Sequence, residues 1–285
     1  MYFASFLLVV LLGSDKAACV AYENDVETIN NDWDILIFTQ RWPITACQEW
    51  KEKSEKNKCA LPSLKNIWTV HGIWPTKFGT EGPLFCNKTW HFDPTQISPI
   101  EEQLNIYWLN VEKNTARRSF WKHEWVKHGT CAALLPELNN EAKYFKQGLD
   151  WIYKYDMQSI LSKAKILPNK TQGYTAEEIY LAVKSVLNKN PAVECVSDHK
   201  LSVSLINEIR ICFNKSLELV DCDGIRDPSI HVEGTNIITS CSLSKPVIYP
   251  SVVPERPLAD QVYKYDTPML LNTYRFLQFL IWFTL

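Results

Sequence analysis

Glycine is scarce in this chain, nine residues in 285, and methionine scarcer still at three. Fifteen prolines without a Gly-X-Y period complete the exclusion of collagen-like and linker-dominated proteins. An excess of charge of one sign is also lacking: 30 Lys and Arg against 32 Asp and Glu leave a formal net charge of −2. A broadly basic nucleic-acid coat protein is thereby excluded, whereas an enzyme that meets a polyanion only locally is not. No apolar run is long enough to span a bilayer as a helix. No C-x-x-C pair supplies the usual signature of a zinc ribbon or a thioredoxin-like site.

Aromatic mass is what the chain has in quantity. Eleven Trp, 12 Tyr and 12 Phe, in a composition that is 46% hydrophobic and 22% charged, supply one sizeable core and argue against disorder. At the N-terminus, Tyr2 to Leu12 is an uncharged apolar run of signal-peptide length, and Cys19-Val20-Ala21 offers a small-x-small cleavage pattern. Residues 1–21 are therefore read as a signal peptide. Cleavage there leaves eight cysteines: Cys47, Cys59, Cys86, Cys131, Cys195, Cys212, Cys222 and Cys241. An even number in a secreted chain predicts four disulfides, although eight cysteines allow 105 pairings. Three sequons, at Asn87, Asn169 and Asn214, point to the same oxidising compartment.

Strand and helix patterns are interspersed, which predicts an α+β class. Asp34 to Trp42 reads as a strand stopped by Pro43, and Asn66 to His71 as another stopped by Gly72. Glu141 to Ser162 carries Tyr144, Phe145, Leu149, Ile152, Tyr153 and Ile160 at helical spacing. Thr175 with Glu178 forms a capping-box pattern that opens a helix through Ile179, Val183 and Leu187. Val193 to Val196 and Leu205 to Phe213 are further strands, the second with Ile209, Ile211 and Phe213 on one face. Prolines 246, 250, 254, 257 and 268 mark a boundary, so the chain divides into 1–21, a domain over 22–250 and an extension over 251–285.

Two short segments carry candidate chemistry. In Trp68-Thr-Val-His71-Gly-Ile-Trp74-Pro75 a histidine ends a β-branched run beside an indole that offers a flat stacking face. In Phe120-Trp-Lys-His123-Glu124-Trp-Val-Lys127-His128-Gly-Thr-Cys131 two imidazoles, a carboxylate and an ammonium fall within six residues. On a helix, Glu124 and His128 share a face at i and i+4. Such a charge cluster is usually a solvated face. Here the tryptophan and cysteine flanks argue for partial burial, where pKa tuning becomes a function. A zinc-protease helix is excluded: it needs histidines at i and i+4, but Lys127 occupies that place, and His128 lies about 140° round the helix from His123.

These segments resemble the active-site motifs of the ribonuclease T2 family of secreted and lysosomal acid endoribonucleases. His71-Gly-Ile-Trp-Pro75 is similar to the first and Lys122-His-Glu-Trp-Val-Lys-His-Gly-Thr-Cys131 to the second. Further likeness runs from Gln40-Arg-Trp-Pro43 through Cys86-Asn-Lys-Thr-Trp90 to Pro246-Val-Ile-Tyr-Pro250. The resemblance implies a single domain with a central antiparallel sheet and packed helices. It also implies disulfides Cys47–Cys59, Cys86–Cys131, Cys195–Cys241 and Cys212–Cys222. The implied reaction cleaves single-stranded RNA, not DNA, through a 2′,3′-cyclic phosphate, with no metal or cofactor. Carried over by motif, His128 is the base, His71 the acid, and Glu124 and Lys127 stand near the phosphate. His123 is a phosphate contact, Trp74 stacks on a base, and Gln40 is a base-site residue. Where many members carry an Asp that helps to read the base, this chain has Thr76, which lacks the carboxylate charge. The expected product is a secreted monomer, or alternatively one held in a lysosomal or other acidic compartment. A second role is a glycoprotein recognised by receptors through its glycans, with the fold as scaffold.

Overall fold

A computed structural model describes residues 32–80, 82–198, 203–225 and 237–253. Residues 1–21, read from the sequence as a signal peptide, and nearly all of residues 251–285, read as an extension with an apolar run over 276–285, lie outside the described residues. Among the described residues no helix is long and apolar enough to cross a membrane.

The chain opens with β1 (Ile35–Arg41), buried on both faces up to Gln40, and turns at Trp42 into α1 (Pro43–Lys53). Pro43 both ends the strand and starts the helix, since a first-turn residue has no N–H bond to lose. β2 (Thr69–Thr76) does not stop at Gly72 as the sequence predicts; it continues through Gly72 and Pro75. It can do so because β2 is an edge strand, where a proline's missing N–H costs the ladder nothing. After α2 (Glu101–Tyr107) comes α3 (Ser119–Glu124), then a π-helical turn over Trp125–Gly129, then α4 (Thr130–Ala132).

The helical pattern from Glu141 to Ser162 resolves into two helices, α5 (Glu141–Lys154) and α6 (Met157–Lys163). Asp156 interrupts the pattern because its side chain accepts the Gln158 N–H and caps a new start. β3 (Gly173–Tyr174) precedes α7 (Ala176–Leu187), which begins with both hydrogen bonds of the Thr175–Glu178 capping box. Among the described residues five strands follow: β4 (Ala192–Asp198), β5 (Val203–Phe213), β6 (Leu219–Val220), β7 (Ile238–Thr239) and β8 (Val247–Ile248).

The sheet runs β2-β1-β5-β4-β7, antiparallel through its first four strands. The short β7 and β8 pair parallel, with β4 and β5 respectively. Leu36 and Phe38 of β1, with Ile209, Ile211 and Phe213 of β5, face the helices in the main core. There Phe213 stacks on Trp151 at 3.8 Å. Ile35 and Ile37 face the other way, into a smaller cluster with Cys212, Cys222 and Ile225.

All four disulfides form with the pairing the resemblance implies. Cys86–Cys131 closes 45 residues and ties the loop after β2 to α4, directly behind the π turn. Loop-closure entropy makes that cross-link worth about 4 kcal/mol. A Cys86→Ala/Cys131→Ala variant is expected to lose about 2–5 kcal/mol of stability in urea unfolding.

Candidate active site

The site forms where edge strand β2 meets the helical segment that carries the second motif. Thr39 of β1 pairs with Gly72 and Gln40 with Val70, so His71 is the extra residue of a β-bulge. A bulge re-aims its side chain, and here it turns His71 out of the ladder alternation. Its carbonyl accepts the Trp108 indole N–H at 3.0 Å. Its Nδ1 lies 2.5 Å from Oε1 of Glu208, which sits on β5, two strands away across β1.

Trp74 stands between His71 and His128. Its ring centre is 5.0 Å from that of His71 and 5.4 Å from that of His128, and its N–H donates to Glu124 Oε2 at 3.0 Å. The Arg210 guanidinium lies 5.2 Å from the same ring. Trp74 is therefore held by contacts on several sides, which makes it an organiser of the two imidazoles. Gly72 leaves room for this: a Cβ there would collide with Trp74 Nε1 and Glu124 Oε2. Gly72→Ala is expected to lower kcat about 100-fold by displacing that hydrogen-bonded pair, and to lower the melting temperature as well because the pair is packed in place. Steady-state kinetics beside a thermal melt would check it.

The second motif departs from a uniform α-helix. The Thr130 N–H reaches back to the Trp125 carbonyl, an i→i+5 bond that widens the turn carrying Lys127 and His128. Glu124 and His128 still converge, both buried and both touching Trp74. Lys127 is half-buried and His123 exposed.

The electrostatics separate these groups. Burial, then the Lys127 charge, then those of His71 and His123, push the His128 ring down to about 2, so it is held neutral. Burial raises the Glu124 carboxyl, against the opposing pull of His71, the Trp74 N–H and Lys127. Burial alone would raise Glu208 too. The His71 ring, through its charge and hydrogen bond, and then Arg210 and Arg41 overcome it and hold that carboxyl well below its usual range. Partial desolvation, followed by Lys127 and His71, lowers His123.

A cleft of about 380 Å³ opens beside His71, His123 and Glu124. Arg41, Trp50, Lys53, Asn110 and Phe120 line it further out, with the Phe120 ring 5.7 Å from that of His71. Gln40 is not there, and its assignment as a base-site residue is corrected. Its side chain is fully buried in the middle of the sheet, where its amide donates to the Tyr155 carbonyl at 2.6 Å. The Thr76 hydroxyl is likewise engaged, donating to the Trp74 carbonyl at 3.2 Å.

Glu208 and Arg210 escaped the sequence reading. On β5 they alternate with Ile209 and Ile211, a pattern that ordinarily marks a solvent-facing side. Glu208 is in fact buried, with Arg210 bound to its Oε2 at 3.1 Å and also paired with Glu194. Among the described residues no group of three or more His, Cys, Asp or Glu side chains is arranged to hold a metal ion.

One buried neutral imidazole and one imidazole against a buried carboxylate, held by a common indole, define a class: enzymes that work by general acid and base. Comparison with known proteins narrows it. The model of the ribonuclease T2 family matches residues 33–222. Ribonuclease Oy of Magallana gigas is 39% identical over 223 residues, covering 78% of this chain and 98% of its own. RNase NT, solved in complex with 5′-AMP, superposes with a TM-score of 0.62 at 27% identity over 77% of this chain and 98% of that one. Human RNase T2 superposes with a TM-score of 0.61 at 32% identity, over 77% and 99%. The chain belongs to the ribonuclease T2 family, and its enzyme type is that of a T2 endoribonuclease.

Proposed function

We propose that the protein is a secreted, metal-independent endoribonuclease that cleaves single-stranded RNA by transphosphorylation, through a 2′,3′-cyclic phosphate, to 3′-phosphate ends. The observation that carries this is the unequal setting of the two histidines. His128 is buried beside Lys127 and held neutral, while His71 is paired with a buried carboxylate. The chemistry requires such a pair: one imidazole takes the 2′-OH proton and the other gives a proton to the departing 5′-oxygen.

The remaining groups suit the phosphate. Lys127 supplies positive charge where the phosphorane gathers negative charge. A carboxyl that keeps its proton can donate to a phosphate oxygen, whereas an ionised one repels it, and burial favours the protonated form of Glu124. His123 stands at the solvent edge of the cleft, within reach of an incoming phosphate. Phe120 is an aromatic wall on which a base can stack.

Four disulfides fit an oxidising compartment. A base that stays neutral in acid suits secretion into, or retention in, an acidic one. At each sequon the asparagine Oδ1 accepts the backbone N–H two residues on, at Thr89, Thr171 and Ser216. The Asn169 and Asn214 amides are engaged, by Leu167 and Glu218 respectively, which favours Asn87 as the first glycan acceptor.

The test uses mature protein in excess EDTA, with a short RNA and its all-2′-deoxy twin, and products read by mass spectrometry. Cyclic-phosphate ends from the RNA alone are expected. Cleavage of the deoxy strand, or loss of all cleavage on adding EDTA, would overturn the mechanism.

A further inference from the structure

We propose that Glu208 is the positioning residue of the general acid, pairing with His71 Nδ1 so that Nε2 is the ring nitrogen left to exchange a proton with substrate. This rests on the acid–base reading above and deepens it. The geometry is specific. Glu208 lies on β5 and His71 on β2, and the bulge that frees His71 from the β1 ladder lets its ring reach across β1 to within 2.5 Å of Oε1. The other carboxylate oxygen, Oε2, takes Arg210 at 3.1 Å, so each oxygen has its own partner and the carboxylate cannot swing. Trp108 pins the His71 backbone from the opposite end.

The charged and titratable groups packed around this pair come from four directions. Arg41 approaches from β1, Arg210 from β5 and Glu194 from β4, where it lies opposite Glu208 and is paired with Arg210, while His123, Glu124 and His128 approach from the helical segment with Lys127 beside them. Only Glu208 of these touches the His71 ring nitrogen. A buried ion pair adds little to stability compared with apolar side chains of similar size, so its cost finds a return in orientation of the reacting ring.

In the step itself the 2′-oxygen bonds to phosphorus and the P–O5′ bond breaks. The 2′-hydroxyl proton passes to His128, and the proton on His71 Nε2 passes to the 5′-oxygen. Glu208 stays ionised throughout and keeps the Nδ1 proton in place, as a triad carboxylate does for its histidine.

The test compares Glu208→Gln and Glu208→Asp with wild type on two substrates: a dinucleotide, and a nucleoside 3′-(4-nitrophenyl phosphate) whose leaving group departs without a proton. With Glu208→Gln, kcat on the dinucleotide is expected to fall about 10- to 100-fold, part of what a general acid contributes, with KM unchanged. With the carboxylate charge removed from beside the ring, the alkaline limb of its pH profile should move to lower pH, while the nitrophenyl ester is cleaved almost as fast as by wild type. Glu208→Asp should recover most of the dinucleotide rate and the limb. Equal losses on both substrates with an unmoved pH profile would make Glu208 merely structural and overturn the proposal, as would no loss on either.

Histidine ring ¹H–¹⁵N spectra of the wild type give a reading that needs neither turnover nor a folded variant. A His71 Nδ1 proton is expected, and its absence would sink the pairing. If that proton is present but the wild type makes no cyclic phosphate, the ribonuclease mechanism fails while the pairing stands.

Discussion

His128→Ala is expected to lower kcat on RNA by roughly 10²–10⁴-fold, the usual contribution of a positioned base, and His71→Ala by a similar factor. Neither substitution should change KM much, because proton transfer is felt in the transition state more than in binding. The double variant should lose little more than the worse single one, since groups that act as a unit are not additive. His128 is buried against Trp74, so its truncation also removes packing. Unfolding melts of both variants, run beside single-turnover kinetics, separate the two effects. Retention of more than a tenth of the wild-type rate by His128→Ala would remove it as the base.

The second large effect is on pH dependence. A base must be unprotonated to accept a proton, and an ordinary imidazole, near 6.5, is mostly charged at pH 5. His128 is carried down to about 2 by burial first, then by Lys127, then by His71 and His123. Its neutral form therefore persists through the mildly acid range, and the acid limb of kcat/KM is expected well below pH 6. Lys127→Ala removes the largest of the charge effects and should move that limb upward, whereas Lys127→Arg should leave it in place. A wild-type acid limb at 6.5 would contradict the burial argument.

The same shift acts on stability, with a definite sign. The folded protein binds fewer protons at His128 than the unfolded chain does. Its contribution is therefore full above about 6.5 and is lost as pH falls toward 2. Glu208, also lowered, adds stability above the ordinary carboxylate range and loses it further down. Glu124 works the other way: its raised value favours the folded state at low pH and ceases to do so as pH rises through that value. Thermal melts of His128→Gln should show a shallower decline on the acid side than wild type.

Local features of the chain were legible directly. The Thr175–Glu178 box and the apolar period of α7 need only neighbours three and four residues away. The alternation of Ile209, Ile211 and Phe213 needs only the two-residue period of a strand. Both histidine motifs are contiguous, so their residue types could be matched letter by letter. Where position within the sheet mattered, the reading failed. Gln40 lies in a motif-like stretch, yet β1 became the central strand of its trio, flanked by β2 and β5, and its side chain was sealed inside. Gly72 signals a stop in isolation, but at the edge of the sheet β2 runs on through it to Thr76.

The sequence by itself determined the period of each element, the chemistry of the motifs and the number of cysteines, because those depend on short-range order. Tertiary structure decided which cysteines meet and where the π turn widens the second motif. It also decided that a carboxylate 137 residues from His71 becomes its nearest ionic partner. The physical reason is that strand order and bulges set these distances, and both result from packing the whole sheet against its helices rather than from any segment's own preference.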